Sequence, residues 1–435
     1  MAPNEKLSKG FTINSTKGTK IEVVEWLGGG GQGDVYKVRY GSEMKALKWY
    51  KPEAIGNFSG FYNNIKQNVI NGAPSSEFLW PIDITPRYQN TFGYIMDLRP
   101  AGYYELSDFL LSNVNFASFK VCCDAALHII SAFRILHNKG YAYQDLNDGN
   151  FFINPNNGQV LICDNDNVAP SGETTGIIGK PRYIAPEVVM GKTMPNNYSD
   201  RFSMALILFM LMCHVHPFEG KRSLGLATPE MQNMLYGKEA LFIMDPSDKA
   251  NAPDRKVHAA AILLWSYMPS YIKDLFNRAF LRTEGLHSPA RRPSEADWLE
   301  GFARFRSDII PCRCGNEVFT QDGQSCKCEK CGCKIIIPFS IHNNRYAIPG
   351  VPGARIYRCQ FGRYNADEAL NPVGMIISNP SNPKQFGLKN MAPTMWKATT
   401  PSGNIKNVQS KEVVPLIDGI TIEYNNATVR IIKNQ

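Results

Sequence analysis

The sequence predicts an α+β protein in three parts. A bilobal α+β domain covers residues 15–308, a cysteine module 309–340, and a small all-β, sandwich-like domain 341–435. Three observations predict this. Short β-branched runs separated by glycine turns open the chain and give way to long helical periodicities after Arg99-Pro100. Six of the eleven cysteines then crowd between Cys312 and Cys333, and the remainder turns to Gly, Pro, Asn and β-branched residues. A chain of 435 residues is too long for one core, and 43% apolar residues suffice to fill two or three.

Runs 21–27, 35–40 and 44–49 read as an antiparallel three-stranded start. Residues 58–71 place Phe58, Phe61, Tyr62, Ile65 and Val69 at helical spacing and stop at Asn71-Gly72-Ala73-Pro74. Strands at 82–85 and 92–96 complete a small lobe. Residues 116–138 read as one long helix closed by Lys139-Gly140. Residues 200–213 are almost wholly apolar, which predicts a helix buried on all sides. The helical lobe runs on to about Arg306.

Formal charge is +8, and the stretch 341–435 holds eleven Lys and Arg against five Asp and Glu. No basic run has the density of a nucleic-acid stripe, so a nucleic-acid partner is not expected. Residues 1–10 lack the apolar core of a signal peptide, and the longest apolar run, 204–213, is about half a bilayer span. A cytoplasmic protein without a membrane span is expected.

Asp145 and Asn150 lie in Tyr143-Gln144-Asp145-Leu146-Asn147-Asp148-Gly149-Asn150, and Asp164 follows fourteen residues later. That order suits phosphoryl transfer: one carboxylate beside the attacking hydroxyl, then an Asn and a second Asp offering hard oxygens to Mg²⁺. Asp148-Gly149 is also ordinary turn chemistry. Upstream, Leu27-Gly28-Gly29-Gly30-Gly31-Gln32-Gly33-Asp34-Val35 supplies a loop whose backbone N–H groups can approach phosphate, although a glycine turn alone fits a plain hairpin. Lys48 sits among Ala46, Leu47 and Trp49, where an unpaired ammonium would be costly, so an anionic partner is expected.

These motifs resemble those of protein kinases. Asp164-Asn165-Asp166 falls where kinases have Asp-Phe-Gly, Ala185-Pro186-Glu187 matches the motif closing their activation segment, and Arg292 resembles the arginine that pairs with its glutamate. Asp200 resembles the buried Asp that opens their central helix. The resemblance implies ATP and Mg²⁺ as cofactors, with Asp145, Lys48, Asn150 and Asp164 catalytic and Asn150 and Asp164 holding the metal. It places the nucleotide against Leu27, Gly28, Gly30, Gly33, Val35, Ala46 and Lys48, with Met96 as gatekeeper and Asp97, Leu98 and Arg99 as hinge. Three departures stand out. Tyr143-Gln144 replaces His-Arg, so no arginine there can grip a phosphorylated loop. Asn147 replaces the loop lysine, leaving the γ-phosphate one cation short. No glutamate lies where the helix partner of Lys48 is expected; the spacing points near Gln67, so a neutral amide or Asp164 is the expected substitute.

The Gln-Asp-Leu-Asn-x-x-Asn loop, Asp-x-Asp, Trp80-Pro81, Phe242-Ile243-Met244-Asp245-Pro246 and the trailing cysteines together resemble bacterial Ser/Thr kinases encoded with a PP2C-type phosphatase and a von Willebrand factor A protein in tellurite-resistance-associated triads. That resemblance implies Ser/Thr phosphorylation, with the von Willebrand factor A protein as substrate or partner and the phosphatase as its opponent. Two other readings remain open: a pseudokinase that only binds nucleotide, and an aminoglycoside-type phosphotransferase acting on a small molecule. The second conflicts with Ala185-Pro186-Glu187 and Arg292, which go with a peptide-binding segment.

Cys312-Arg313-Cys314-Gly315 and Cys328-Glu329-Lys330-Cys331-Gly332 form two knuckles spaced as in a zinc ribbon. Cys312, Cys314, Cys328 and Cys331 are the expected Zn²⁺ ligands, with Cys326 and Cys333 as competitors and a redox disulfide as the alternative. The tail around Gly387-Leu388-Lys389-Asn390-Met391 and Trp396 loosely resembles a forkhead-associated domain, although the phosphothreonine-reading elements are not evident; a module for docking protein partners is expected. Thr174 and Thr175 are candidate autophosphorylation acceptors.

Overall fold

The computed structural model describes residues 6–173, 179–224 and 228–434. Strands β1 (Thr12–Asn14), β2 (Lys20–Gly29), β3 (Gly33–Tyr40), β4 (Glu43–Tyr50), β5 (Asp83–Ile84) and β6 (Gly93–Met96) form one antiparallel sheet in the order β1-β2-β3-β4-β6-β5. Helix α1 (Phe58–Asn71) is capped by the Asn57 side chain, which accepts from Gly60 N at 3.1 Å, and ends at Gly72 with φ 72°. Its buried Phe61, Ile65 and Asn68 recur at helical spacing and face the sheet and the second lobe. The lobe begins before the expected residue 15, because β1 pairs with β2 and Leu7 is buried against Tyr36 and Val38.

The second lobe comprises β7 (Tyr104–Glu105), α2 (Leu106–Leu110), α3 (Phe119–Asn138), β8 (Tyr141–Ala142), β9 (Phe151–Ile153), β10 (Val160–Ile162), β11 (Ala169–Pro170), α4 (Pro186–Val189), α5 (Asn197–Cys213), α6 (Pro229–Tyr236), α7 (Ala259–Tyr267), α8 (Ser270–Phe280) and α9 (Glu295–Asp308). Asn196 and Ser199 form a capping box at the start of α5. Leu206, Ile207, Leu208 and Phe209 on consecutive faces of α5 are all 0% exposed. Each such side chain contributes roughly 1.5–3 kcal/mol on burial, which explains why α5 needs no polar face. None of the described helices is long and apolar enough to cross a membrane.

Two short hairpins follow, β12 (Ile309–Pro311) with β13 (Glu317–Phe319) and β14 (Cys326–Lys327) with β15 (Lys334–Ile335). The cysteine knuckles form their turns. The remaining strands are β16 (Phe339–Asn343), β17 (Ala347–Pro349), β18 (Arg355–Tyr357), β19 (Pro372–Asn379), β20 (Asn382–Asn390), β21 (Trp396–Thr399), β22 (Ile405–Val408), β23 (Val413–Pro415), β24 (Thr421–Tyr424) and β25 (Ala427–Lys433). They build a six-stranded sheet, β17-β16-β25-β24-β21-β22, and a four-stranded sheet, β18-β19-β20-β23. Both contribute to one core that includes Ile341, Ile376, Leu388, Ile422 and Trp396, whose ring stacks on Phe361. The β domain thus begins at Phe339, slightly before the expected residue 341.

The tail is expected as a separate module, yet it is fused to the helical lobe. Tyr357, Cys359 and Ala369 belong to the same buried cluster as α3 and α9. The Gln360 side chain donates to Ala303 O at 3.3 Å and to Ser307 Oγ at 3.0 Å. The Glu317 carboxylate of β13 accepts from Phe119 N at 2.6 Å and Lys120 N at 3.1 Å, capping the N-terminus of α3 with a negative charge.

Candidate active site

A cavity of 570 Å³ opens between the lobes, below the turn that joins β2 to β3. Its lining includes every nucleotide-contact candidate: Leu27, Gly28, Gly30, Gly33, Val35, Ala46, Lys48, Met96, Asp97 and Leu98. The same cavity receives Asp145, Asn150 and Asp164. The glycines divide by cause. A Cβ at Gly33 would sit 2.3 Å from Trp49 O, so packing against β4 demands glycine there. At Gly28, Gly30 and Gly31 an added Cβ would meet no protein atom within 4 Å. Those glycines leave backbone open to the cavity, as close approach of a phosphate requires.

Lys48, on β4, is 4% exposed and makes three contacts: Asp166 Oδ2 at 2.9 Å, Gln32 Oε1 at 3.1 Å and Asp164 Oδ1 at 3.2 Å. Burial pushes its ammonium down, but the Asp164 and Asp166 carboxylates outweigh that and hold it above its ordinary value. The expected amide near Gln67 is not the partner: Gln67 is exposed and donates to Asn71 Oδ1 at 2.9 Å. Of the expected substitutes Asp164 does meet Lys48, and Asp166 joins it in place of the helix glutamate. Asp166 is fully buried and also accepts from the Tyr50 hydroxyl. Helix α1 contributes amides, with Asn64 and Asn68 donating to Val168 O at 2.9 and 3.0 Å, so it grips the backbone behind the metal loop rather than the lysine. Sequence reasoning passed over Asp166, Tyr50, Asn64 and Asn68. The one local signal was the doubled acid of Asp164-Asn165-Asp166.

Asp164 adopts the left-handed region at φ 53°, ψ 42°. Asp tolerates that geometry at modest cost. The next residue is tied down, Asn165 Nδ2 donating to Leu79 O at 2.8 Å and Ile162 O at 2.9 Å, which locks the turn and aims the Asp164 carboxylate into the cleft. In the catalytic loop, Asn150 Nδ2 donates to Asp145 O at 2.8 Å, and its amide oxygen takes no donor among the described residues. Asn150 and Asp164 together offer the hard-oxygen set that suits Mg²⁺. Asp145 Oδ2 accepts weakly from Asn167 Nδ2 at 3.4 Å, while Asp145 Oδ1 is buried without a partner among the described residues. An unsatisfied buried carboxylate oxygen costs about 1–3 kcal/mol or more, and a substrate hydroxyl would relieve it. Burial, then the Asp164 charge, pushes the Asp145 carboxyl up to about 6.

The loop is anchored from below. Asp200 accepts from Tyr143 N at 2.6 Å and Gln144 N at 3.4 Å, and His137 bridges Asp200 (3.1 Å) and Glu295 (2.8 Å). Burial opposes the His137 charge, but the two carboxylates outweigh it and raise His137 to about 9. Gln144, where kinases place arginine, donates Nε2 to Glu173 O at 2.8 Å, a hold on the segment that needs no phosphate. Arg292 forks onto Glu187 at 2.7 and 2.8 Å, so Ala185-Pro186-Glu187 is pinned as the resemblance implies. Thr174 and Thr175 lie outside the described residues.

The sulfurs of Cys312, Cys314, Cys328 and Cys331 lie within 4.8 Å of one another, with Cys312–Cys331 at 3.6 Å and Cys314–Cys328 at 3.7 Å. Zn–S bonds of about 2.3 Å in a tetrahedron give sulfur separations near 3.8 Å, so this set fits such an ion. Cys326 and Cys333 stand outside it, and all four ligand candidates are free thiols.

Comparison with known proteins agrees with this geometry. The family model described as protein kinase domain matches residues 21–279. Maternal embryonic leucine zipper kinase of Danio rerio is 35% identical over 95 residues, 21% of this chain and 14% of that protein. Its Xenopus laevis counterpart is 33% identical over 95 residues, 21% of this chain and 15% of the relative. The probable serine/threonine-protein kinase fhkE of Dictyostelium discoideum is 23% identical over 266 residues, 57% of this chain and 34% of fhkE. The chain thus spans between 14% and 34% of the length of these relatives. With its family model covering more than half of the sequence and its cleft built from one glycine turn, Lys48, Asp145, Asn150 and Asp164, the chain belongs to the protein kinase domain family.

Proposed function

We propose that the protein is an ATP- and Mg²⁺-dependent Ser/Thr protein kinase. The observation that carries this reading is the convergence of Lys48, Asp145, Asn150 and Asp164 on one cavity beneath open glycines. Bound Mg²⁺ would neutralise the charge between the β- and γ-phosphates, as in other kinases. Asn150 and Asp164 would hold it through oxygen. Lys48 and the glycine turn fix the phosphates, and Asp145 orients the substrate hydroxyl and takes its proton. The pairing of Glu187 with Arg292 favours a protein substrate, because it braces the segment against which a peptide would lie.

The four sulfurs are assigned to Zn²⁺ in a structural role: so short a module has little core, so the ion supplies folding energy. The β domain serves to dock partners. Likeness to the bacterial triad kinases supports a cytoplasmic enzyme whose partners are a von Willebrand factor A protein and a PP2C-type phosphatase. The test is labelled MgATP with purified chain and those two proteins. Label should reach serine or threonine of protein and vanish in Asp145→Ala and Asp164→Ala. Binding of nucleotide without transfer would mean a pseudokinase, and label on a small molecule would refute the protein substrate.

A further inference from the structure

The active site has a missing charge and, close by, one that forms no ion pair among the described residues. Asn147 stands where a lysine would meet the γ-phosphate, and it cannot supply that charge. It is 4% exposed, its Nδ2 donates to Asp145 O at 3.2 Å, and its Oδ1 accepts from Gly149 N at 3.1 Å, so both ends of the amide hold the loop together. Three cationic side chains line the cavity: Lys48, Arg99 and Lys180. Lys48 is committed to Asp164, Asp166 and Gln32. Arg99 lies 4.0 Å over the Phe152 ring, beside the Asp97 and Leu98 end of the cavity. Among the described residues the Lys180 ammonium forms no ion pair.

The backbone brings Lys180 to the reacting end. A Cβ on Gly179 would come 2.9 Å from Gln144 O and 3.0 Å from Asp145 Oδ1, so the chain passes against the catalytic carboxylate with no room for a side chain. Lys180 is the next residue. Its carbonyl is fixed, accepting from Tyr183 N at 2.9 Å and Ile184 N at 3.3 Å, and its side chain reaches the cavity shared by Asp145, Asn147, Asn150 and Asp164. Its charge is close enough to oppose the upward push of burial and Asp164 on the Asp145 carboxyl. Arg182, two residues on, is already spent on Glu219, with Nη2 to Oε2 at 2.9 Å.

We propose that Lys180 is a catalytic residue whose ammonium pairs with the γ-phosphoryl oxygens during transfer, replacing the cation that Asn147 lacks; this rests on the kinase reading above. In the step, the substrate hydroxyl oxygen forms a bond to the γ-phosphorus. The bond from that phosphorus to the β,γ-bridging oxygen breaks, and the bridging oxygen leaves with the electron pair on the nucleoside diphosphate. The hydroxyl proton passes to Asp145. Lys180 keeps its protons and stabilises charge only.

The test uses the full chain, γ-labelled MgATP in single-turnover transfer to protein, and MgADP binding measured separately. Removing one preorganised charge partner costs up to about a hundredfold or more in rate, and an exposed ammonium sits at the low end, so Lys180→Ala should slow transfer by about 10- to 100-fold. MgADP affinity and melting temperature should stay near wild type, because the group is exposed and acts on the transferring phosphoryl. Lys180→Arg should keep most of the rate, and adding Asn147→Lys to Lys180→Ala should recover about tenfold. A Lys180→Ala rate equal to wild type overturns the proposal. So does a loss matched by weakened MgADP binding or a lower melting temperature, or one that neither Arg nor Asn147→Lys repairs. A wild-type chain that transfers nothing refutes the kinase reading and this proposal together; an active wild type with an indifferent Lys180→Ala refutes this proposal alone.

Discussion

Asp166→Ala is the sharpest perturbation of the cleft. The Asp166 carboxylate is 0% exposed and is shared by Lys48, at 2.9 Å, and the Tyr50 hydroxyl. Removing one partner from a buried ion pair costs about 3–5 kcal/mol, because the other charge is left desolvated. Here Asp164, at 3.2 Å, still faces Lys48 and takes over part of that attraction. The buried Tyr50 hydroxyl loses its acceptor, at about 1–3 kcal/mol, and the two terms overlap because one carboxylate serves both. A net loss of about 3 kcal/mol follows, which at about 2.1 cal/mol/K per residue over roughly 300 residues or more lowers the melting temperature by roughly 3–5 °C. Thermal unfolding followed by circular dichroism measures it, with MgADP binding as a second readout. Tyr50→Phe should cost about 1 kcal/mol. Gln67→Ala should cost almost nothing, since that side chain is exposed and bonded within its own helix. A melting temperature for Asp166→Ala within about 2 °C of wild type, or an equal loss in Gln67→Ala, would refute the assignment of Asp166 as the partner of Lys48.

Stability should depend on pH through the pair under the catalytic loop. His137 is raised from 6.5 to about 9, so its contribution is full below 6.5 and is lost as pH rises through about 9. Glu295, where burial is outweighed by His137 and Arg201, is lowered from 4.5 to about 2, so its contribution is full above 4.5 and is lost as pH falls towards 2. Denaturant unfolding across pH should therefore show the pair's full effect between 4.5 and 6.5, and His137→Gln should flatten the alkaline limb. In the glycine turn, Gly33→Ala should lower the melting temperature, because its Cβ would meet Trp49 O at 2.3 Å. Gly30→Ala should leave stability near wild type and weaken MgADP binding instead. Metal analysis should find zinc in wild type, retained in Cys326→Ser and Cys333→Ser and lost in Cys314→Ser and Cys331→Ser. Chelation should unfold the knuckles and release the Glu317 cap from α3, seen as new hydrogen exchange at Phe119 and Lys120.

Much of the site was legible because its parts are local. Asp145 and Asn150 share one loop, closed by a bond from Asn150 Nδ2 to Asp145 O, so their spacing alone brings them together. Strands β2, β3 and β4 were legible from β-branched runs set off by glycine. Helix α5 was legible from a run too apolar to face water anywhere. Asp164 was legible as a partner of Lys48 from the motif resemblance, but Asp166 was not, since it lies 118 residues away and no propensity encodes that meeting. Knuckle spacing also picked Cys312, Cys314, Cys328 and Cys331 from six crowded cysteines, and the structure brings those same four sulfurs together while Cys326 and Cys333 stand outside.

By itself, the sequence determined the lobed α+β plan, the chemical types gathered in the cleft and the presence of a cysteine cluster. Those follow from periodicity, turn chemistry and ligand spacing, which act over a few residues. Only the tertiary structure decided that a buried aspartate and not a helix side chain steadies Lys48, that Lys180 arrives beside Asp145, and that Gln360 and Glu317 weld the tail to the helical lobe. Each depends on contacts between residues distant along the chain, fixed by the requirement that buried charges and amides find partners once the whole core has closed.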